Sequence, residues 1–227
     1  RAESADDEGE SDMATAVLAL IGADPGSFRR EKKHASRRLV SEIYSPPRVT
    51  AMLKRMTNHG LTPGLALDLT TIDPDDGMPW DFDVVAKRDK ALRLQREQRP
   101  LFVIGSPMCT RWCSWQHIND KIRDPEVVKR EKRRALVHLE FMTEICRGQI
   151  EGGRVLLHEH PESAGSWAEK CISDLLAIPS VSRVCGGQCQ YGQELQYVEF
   201  RGQPVRKSTG FMSNAPRVLQ CATRRCA

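Results

Sequence analysis

The sequence has no long apolar run. The longest, Met13 to Ile21, is far shorter than the roughly 20 residues a helix needs to span a bilayer, and it lacks the basic flank and cleavage site of a secretory signal. There is no internal repeat and no low-complexity tract. The two-residue Cys spacing typical of structural zinc is missing as well: Cys185-x3-Cys189 and Cys221-x4-Cys226 are the nearest approaches, and zinc is a minor reading beside isolated buried thiols. Without an export signal, the eight cysteines read as reduced thiols inside a cell. Acidic residues run out after Glu199, whereas Arg201, Arg206, Lys207, Arg217, Arg224 and Arg225 lie beyond it.

The 227 residues, 40% hydrophobic and 28% charged, suit one domain of ordinary size or one domain with ragged ends. Beginning at Arg1, the chain is expected to be a fragment or a processed product. A net charge of +4 conceals an uneven distribution. Six carboxylates crowd residues 1–12, and six fixed positive charges follow in Arg29–Arg38. Seven more basic residues lie in Lys121–Arg134. Such blocks either hold phosphates or form solvated faces.

Residues 1–36 read as a charged, flexible tail, 37–220 as the folded domain and 221–227 as a C-terminal tail. Strands are expected at Leu39–Tyr44, Leu65–Thr71, Leu101–Ser106, Arg154–His158 and Val181–Val184, with a hairpin over Leu195–Val205. Helices are expected over Arg48–His59, Val84–Gln98 and Ser166–Ala177. A long one starts at Pro125 under an Asp124 cap and stops at Gly152-Gly153. Strands alternating with helices predict a doubly wound, mostly parallel sheet, with chemistry beyond the carboxyl ends of its strands.

Four segments fall at such ends: Ser45–Arg48, Asp68–Thr71, Ser106–Cys113 and Glu159–Pro161. Cys109 follows a buried strand in Gly105-Ser106-Pro107-Met108-Cys109, where a loop can present a nucleophilic thiol; a small buried loop cysteine is the plainer alternative. Glu159 ends the next strand between His158 and His160, suited to acid or orienting work. His158-x-His160 is a weaker metal pair, because Glu159 points to the opposite face. Asp68 and Asp81 suit a ribose diol or simply their own turns. Lys207–Asn214 and Gln188–Gly192 offer amides, hydroxyls and a lysine for phosphates and base edges. A different cysteine enzyme, pairing Cys109 with His117, His158 or His160, is a third reading.

In this order the motifs resemble the cytosine-5 DNA methyltransferase family in a small, divergent form. Ser106-Pro107-Met108-Cys109 is similar to its Pro-Pro-Cys loop, and Leu157–Pro161 to its Glu-Asn-Val/Pro strand end. Gln188–Gly192 with Lys207–Asn214 is similar to the C-terminal part of its compact members. The resemblance covers roughly residues 38–216. It implies a class I, Rossmann-like methyltransferase fold with a C-terminal hairpin, S-adenosyl-L-methionine as cofactor, and Cys109 and Glu159 as catalytic residues. It also implies Glu42, Tyr44, Ser45, Asp68, Asp81 and Ser106 at the cofactor, and Arg111, Gln190, Lys207 and Thr209 against nucleic acid, with no metal. DNA is the implied partner, RNA the alternative, with no membrane and an intracellular, nuclear setting. Similar domains occur in retrotransposon-type polyproteins, so other domains of a polyprotein are further partners. The sequence departs from the family at Tyr44–Arg48, which has no glycine where the family has Phe-x-Gly-x-Gly. A non-catalytic nucleic-acid-binding or interaction module of a retroelement polyprotein is therefore the alternative reading.

Overall fold

The computed structural model describes residues 38–56, 60–195, 197–205 and 207–224. The chain divides into two units at the Arg38–Leu39 boundary. The tail expected over 1–36 lies outside the described residues, and the whole described sheet belongs to the second unit.

Six strands form one sheet in the order β2-β1-β3-β4-β6-β5. These are β1 (Leu39–Ile43), β2 (Thr62–Leu67), β3 (Phe102–Gly105), β4 (Val155–Pro161), β5 (Ser182–Gly187) and β6 (Ser208–Ser213). The first four run parallel, and β6 lies antiparallel between β4 and β5. The α/β, mostly parallel sheet expected from the sequence is present. The antiparallel pair at its C-terminal side is β5–β6, joined by a 20-residue excursion, and not the hairpin expected over Leu195–Val205. Leu195–Val205 forms no ladder: it is pinned by one bridge, Glu194 to Pro204, around a short 3-10 turn at Val198–Phe200.

Helices α1 (Val49–Arg55), α2 (Val85–Gln98), α3 (Ser114–Asn119), α4 (Pro125–Glu151), α5 (Lys170–Leu176) and α6 (Pro216–Cys221) complete the described order. The 27-residue α4 begins where its sequence dictates: Asp124 accepts a hydrogen bond from the Glu126 amide (2.8 Å), and Pro125 takes the first turn, where no N–H is needed. Its stripe of Ala135, Leu139, Met142 and Cys146 packs with Ile43, Val103, Leu156 and Met212 of the sheet and Ile172 and Leu175 of α5. Close packing explains two strand glycines. A Cβ on Gly105 would lie 2.3 Å from the Met142 sulfur, and one on Gly210 2.7 Å from the Trp167 ring.

Residues 221–224 do not form a tail. Ala222 is buried, and the Arg224 carbonyl accepts from the Gly187 amide (2.7 Å), so the segment closes over the end of β5. Among the described cysteines, Cys109, Cys113, Cys146, Cys171 and Cys221 are free, whereas Cys189 is disulfide-bonded, contrary to the expectation of reduced thiols throughout.

Candidate active site

β1 is central in the sheet, flanked by β2 and β3, so the crevice beyond its carboxyl end is where a doubly wound sheet places ligands. Chain exits at Tyr44, Asp68 and Ser106 converge there. Tyr44, Asp68, Asp81 and Ser106, four of the six expected cofactor residues, line one 90 Å³ cavity with Trp80, Phe82, Asp83, Met108, Arg134 and His138. A depression of 400 Å³ adjoins it, sharing Met108 and Arg134.

The other two expected cofactor residues serve the backbone. The Glu42 carboxylate is buried and receives the amides of Arg48, Val49 and Thr50 (3.3, 3.1 and 2.8 Å) and the Thr50 hydroxyl (2.6 Å). It neutralises the start of α1, whose first amides have no intrahelical partner. Ser45 turns inward, donating to Glu42 (3.2 Å) and to the Pro46 carbonyl (2.9 Å). Neither side chain lines the cavity.

Asp68 and Asp81 each stabilise a turn while lining it. The Thr70 amide and hydroxyl donate to Asp68 Oδ1 (3.0 and 2.8 Å), and the Asp83 amide donates to Asp81 Oδ1 (2.9 Å). The loop that holds both is folded around Asp73, a buried carboxylate that pairs with Lys87 (2.7 Å) and Lys90 (2.5 Å). Both ammonium groups lie over the Trp80 ring, 5.1 and 5.3 Å from its centre.

Adjacent parallel strands β3 and β4 bring the Cys109 loop to Glu159. Ser106 donates to Glu159 Oε2 (2.7 Å) and the Gln188 amide to Oε1 (3.1 Å), so both carboxylate oxygens are held. On the other face of β4, His160 Nε2 donates to the Pro107 carbonyl (2.8 Å) and Nδ1 accepts from Ser166 (2.6 Å). The strand thus grips the loop from both sides. Cys109 is half-buried, and burial pushes its thiol above the usual range, the Lys207 ammonium draws it down, and the Glu159 charge raises it further.

Of the expected nucleic-acid residues, Gln190 and Lys207 are exposed. Arg111 is held in a bidentate pair by Asp120. Thr209 is fully buried on β6, which lies between β4 and β5, and its hydroxyl has no hydrogen-bond partner, so it cannot meet a nucleic acid there. Of the histidine partners considered for Cys109, His160 is engaged as described, and His158 is buried under Trp167, with ring centres 5.5 Å apart and neither nitrogen hydrogen-bonded to the thiol or to any other group. The His117 side chain lies outside the described residues. Among the described residues, no group of three or more His, Cys, Asp or Glu is placed to hold a metal.

Sequence reasoning missed three residues of this site. Tyr44 O–H donates to His138 Nδ1 (2.8 Å), and His138 Nε2 donates to Asp83 Oδ1 (3.0 Å). Arg134 then clamps Asp83, its Nε at 2.7 Å. The one signal was a histidine set in the apolar stripe of α4, beside Leu139.

The unpartnered His158 sets up a stability prediction. Burial, and to a lesser degree its neighbour His160, depress its pKa well below the ordinary 6.5, so it is neutral when folded and takes a proton when unfolded. Its share of stability is intact above about pH 6.5 and is lost as pH falls below that value. His158→Leu removes two orphaned nitrogens at similar volume and is expected to raise Tm by roughly 2–4 °C near pH 6. Melting curves from pH 7.5 to 5 should also flatten; an unchanged slope with a lower Tm would refute this account.

A scan against protein-family models found no match, and neither did searches of curated proteins and of solved structures. No helix among the described residues is long and apolar enough to cross a membrane.

Proposed function

We propose that the domain is an S-adenosylmethionine-dependent methyltransferase of class I type that modifies carbon 5 of cytosine in DNA through Cys109. The observation that carries this reading is Ser106, which lines the cavity beyond β1 and β2 and also donates to Glu159. Cofactor pocket and acid are thereby one hydrogen bond apart, with Cys109 three residues along the same loop. An antiparallel β6 at the C-terminal side of an otherwise parallel sheet supports the class I type.

The residues around the cavity fit the cofactor in character. Asp68 uses only Oδ1 in its turn, leaving Oδ2 for a ribose hydroxyl, and Trp80 and Phe82 supply an apolar wall for the adenine. The cavity alone is smaller than the roughly 300 Å³ at the lower end for ligand pockets, so the adjoining depression past Met108 has to accommodate the remainder. When bound, the cofactor supplies an electrophilic methyl group for carbon 5.

The protein's own groups do the rest. The base must first leave the stack, at a cost of a few kcal/mol in duplex DNA. Cys109 thiolate adds to carbon 6, and the electron pair of the 5,6 double bond makes carbon 5 nucleophilic. Glu159, oriented by Ser106 and Gln188, takes up a proton from solvent and passes it to nitrogen 3, stabilising the charge that develops on addition. After methylation, solvent water takes the carbon 5 proton, the electron pair re-forms the 5,6 double bond and expels the Cys109 thiolate, and nitrogen 3 gives its proton back through Glu159.

Calorimetry with S-adenosylmethionine should give saturable one-to-one binding. DNA containing 5-fluorocytosine should then trap the protein covalently, because fluorine blocks the final elimination. A second reading, the non-catalytic module, is favoured by the glycine-less turn after β1. Absence of both binding heat and adduct would leave that reading standing alone.

A further inference from the structure

Tyr44 stands immediately after β1, where the chain turns beside the cavity, and its backbone is left-handed, with φ of 58°. A tyrosine in that region is strained relative to glycine, because its Cβ crowds the neighbouring carbonyl. The turn has therefore kept a conformation suited to glycine without the residue. A side chain at this point, directed outward, would fill the cavity that Asp68 and Asp81 line.

The ring is drawn aside instead. It packs edge-on against Phe82 (ring centres 4.8 Å apart) and Phe141 (6.0 Å), and its hydroxyl is taken by His138. His138 is buried on α4 and oriented from its other nitrogen by Asp83, which Arg134 holds in turn. This chain of contacts spans β1, the loop before α2, and α4, and all four polar members line the cavity.

We infer that His138 and Asp83 are positioning residues that hold the Tyr44 side chain as the floor of the cofactor pocket, doing by a hydrogen-bonded clamp what a glycine would do by having no side chain. The inference rests on the reading of this cavity as a cofactor site, but the position of Tyr44 can be read without any cofactor. Releasing the hydroxyl lets the ring swing toward the cavity, whose small volume it would occupy. The strain at φ 58° adds to that tendency, since the clamp is one of the interactions that offset it.

The test uses four variants of the whole chain and two readouts. Asp83→Asn and His138→Ala loosen the clamp, with Asp83→Asn retained in case the buried His138 substitution fails to fold. Tyr44→Gly and the double variant Tyr44→Gly/His138→Ala remove the ring. Nitration by tetranitromethane, followed by peptide mapping, reports exposure of Tyr44 independently of ligand. Calorimetry with S-adenosylhomocysteine reports the pocket. Tyr44 should resist nitration in the wild type and become reactive in both clamp variants. Binding should weaken at least tenfold in those variants and return to within about threefold of wild type in the double variant, a rescue that a general loss of stability would not give. Tyr44 remaining protected in folded clamp variants would overturn the inference. Release of Tyr44 with no ligand bound by the wild type would uphold the clamp and overturn the cofactor reading instead.

Discussion

Cys109→Ala is expected to abolish covalent capture of 5-fluorocytosine DNA and to lower turnover by at least about a thousandfold, with little change in melting temperature. The asymmetry follows from its surroundings. The thiol is half-buried in a loop whose position is fixed by its neighbours, Ser106 through Glu159 and Pro107 through His160, so the fold does not depend on the sulfur. The proposed chemistry does, because in it the Cys109 thiolate is the group that adds to carbon 6. A thousandfold loss corresponds to about 4 kcal/mol of barrier.

The same site sets a pH dependence. Burial raises the Cys109 thiol above its ordinary range, with Lys207 pulling it down and Glu159 pushing it up, so the thiolate is a minor species at neutral pH. Adduct formation should therefore quicken as pH rises from 7 toward 9. Lys207→Met, which removes the lowering charge, should slow it at pH 7 and shift the profile to higher pH. A rate independent of pH, or an adduct surviving in Cys109→Ala, would remove Cys109 from the mechanism.

How much of this was legible in the sequence varies with how local the cause is. Helix α4 was readable from end to end because Asp124-Pro125, the apolar stripe and Gly152-Gly153 are all short-range signals. β1 was readable as a strand, and β3 and β4 as buried apolar ones. β2 begins three residues earlier than expected, at Thr62-Pro63-Gly64, a string that reads as a turn; an edge strand tolerates such a proline because only one of its sides is paired. β6 went unseen because Ser208, Thr209 and Gly210 look like loop, and the need for glycine comes from Trp167 and Arg183, which lie on it from other segments.

The candidate site follows the same rule. Strand ends brought out Asp68, Ser106, Cys109 and Glu159, because position along one strand was enough. Glu42 was placed at the cofactor on motif position alone, and its capping of α1 shows only once the turn after β1 is folded back. The Tyr44–His138–Asp83 contacts join residues 94 and 55 positions apart, which no local pattern encodes.

Asp73→Asn should be the most destabilising single exchange around the pocket, lowering Tm by roughly 5–10 °C. Burial alone would raise the Asp73 pKa, but hydrogen bonds from Lys87 and Lys90 outweigh it and hold the group at about 2. The carboxylate is thus charged when folded at every pH above that, whereas in the unfolded chain it takes a proton near 3.8. Its stabilising share is complete above about pH 4 and is lost as pH falls toward 2. Asparagine matches the shape but leaves two ammonium groups without their shared buried anion, so the wild-type acid limb should flatten in the variant. Burial lowers Lys87 and Lys90, yet hydrogen bonds to Asp73, with Asp76 for Lys87 and Asp75 for Lys90, raise both above the ordinary 10.5, so their share is present below that value and fades at higher pH. The loop anchored by Asp73 carries Asp68, Trp80, Asp81 and Phe82, so ligand affinity should fall together with stability. A variant that melts within a degree of wild type and keeps its acid limb would show that the two lysines hold this loop without Asp73.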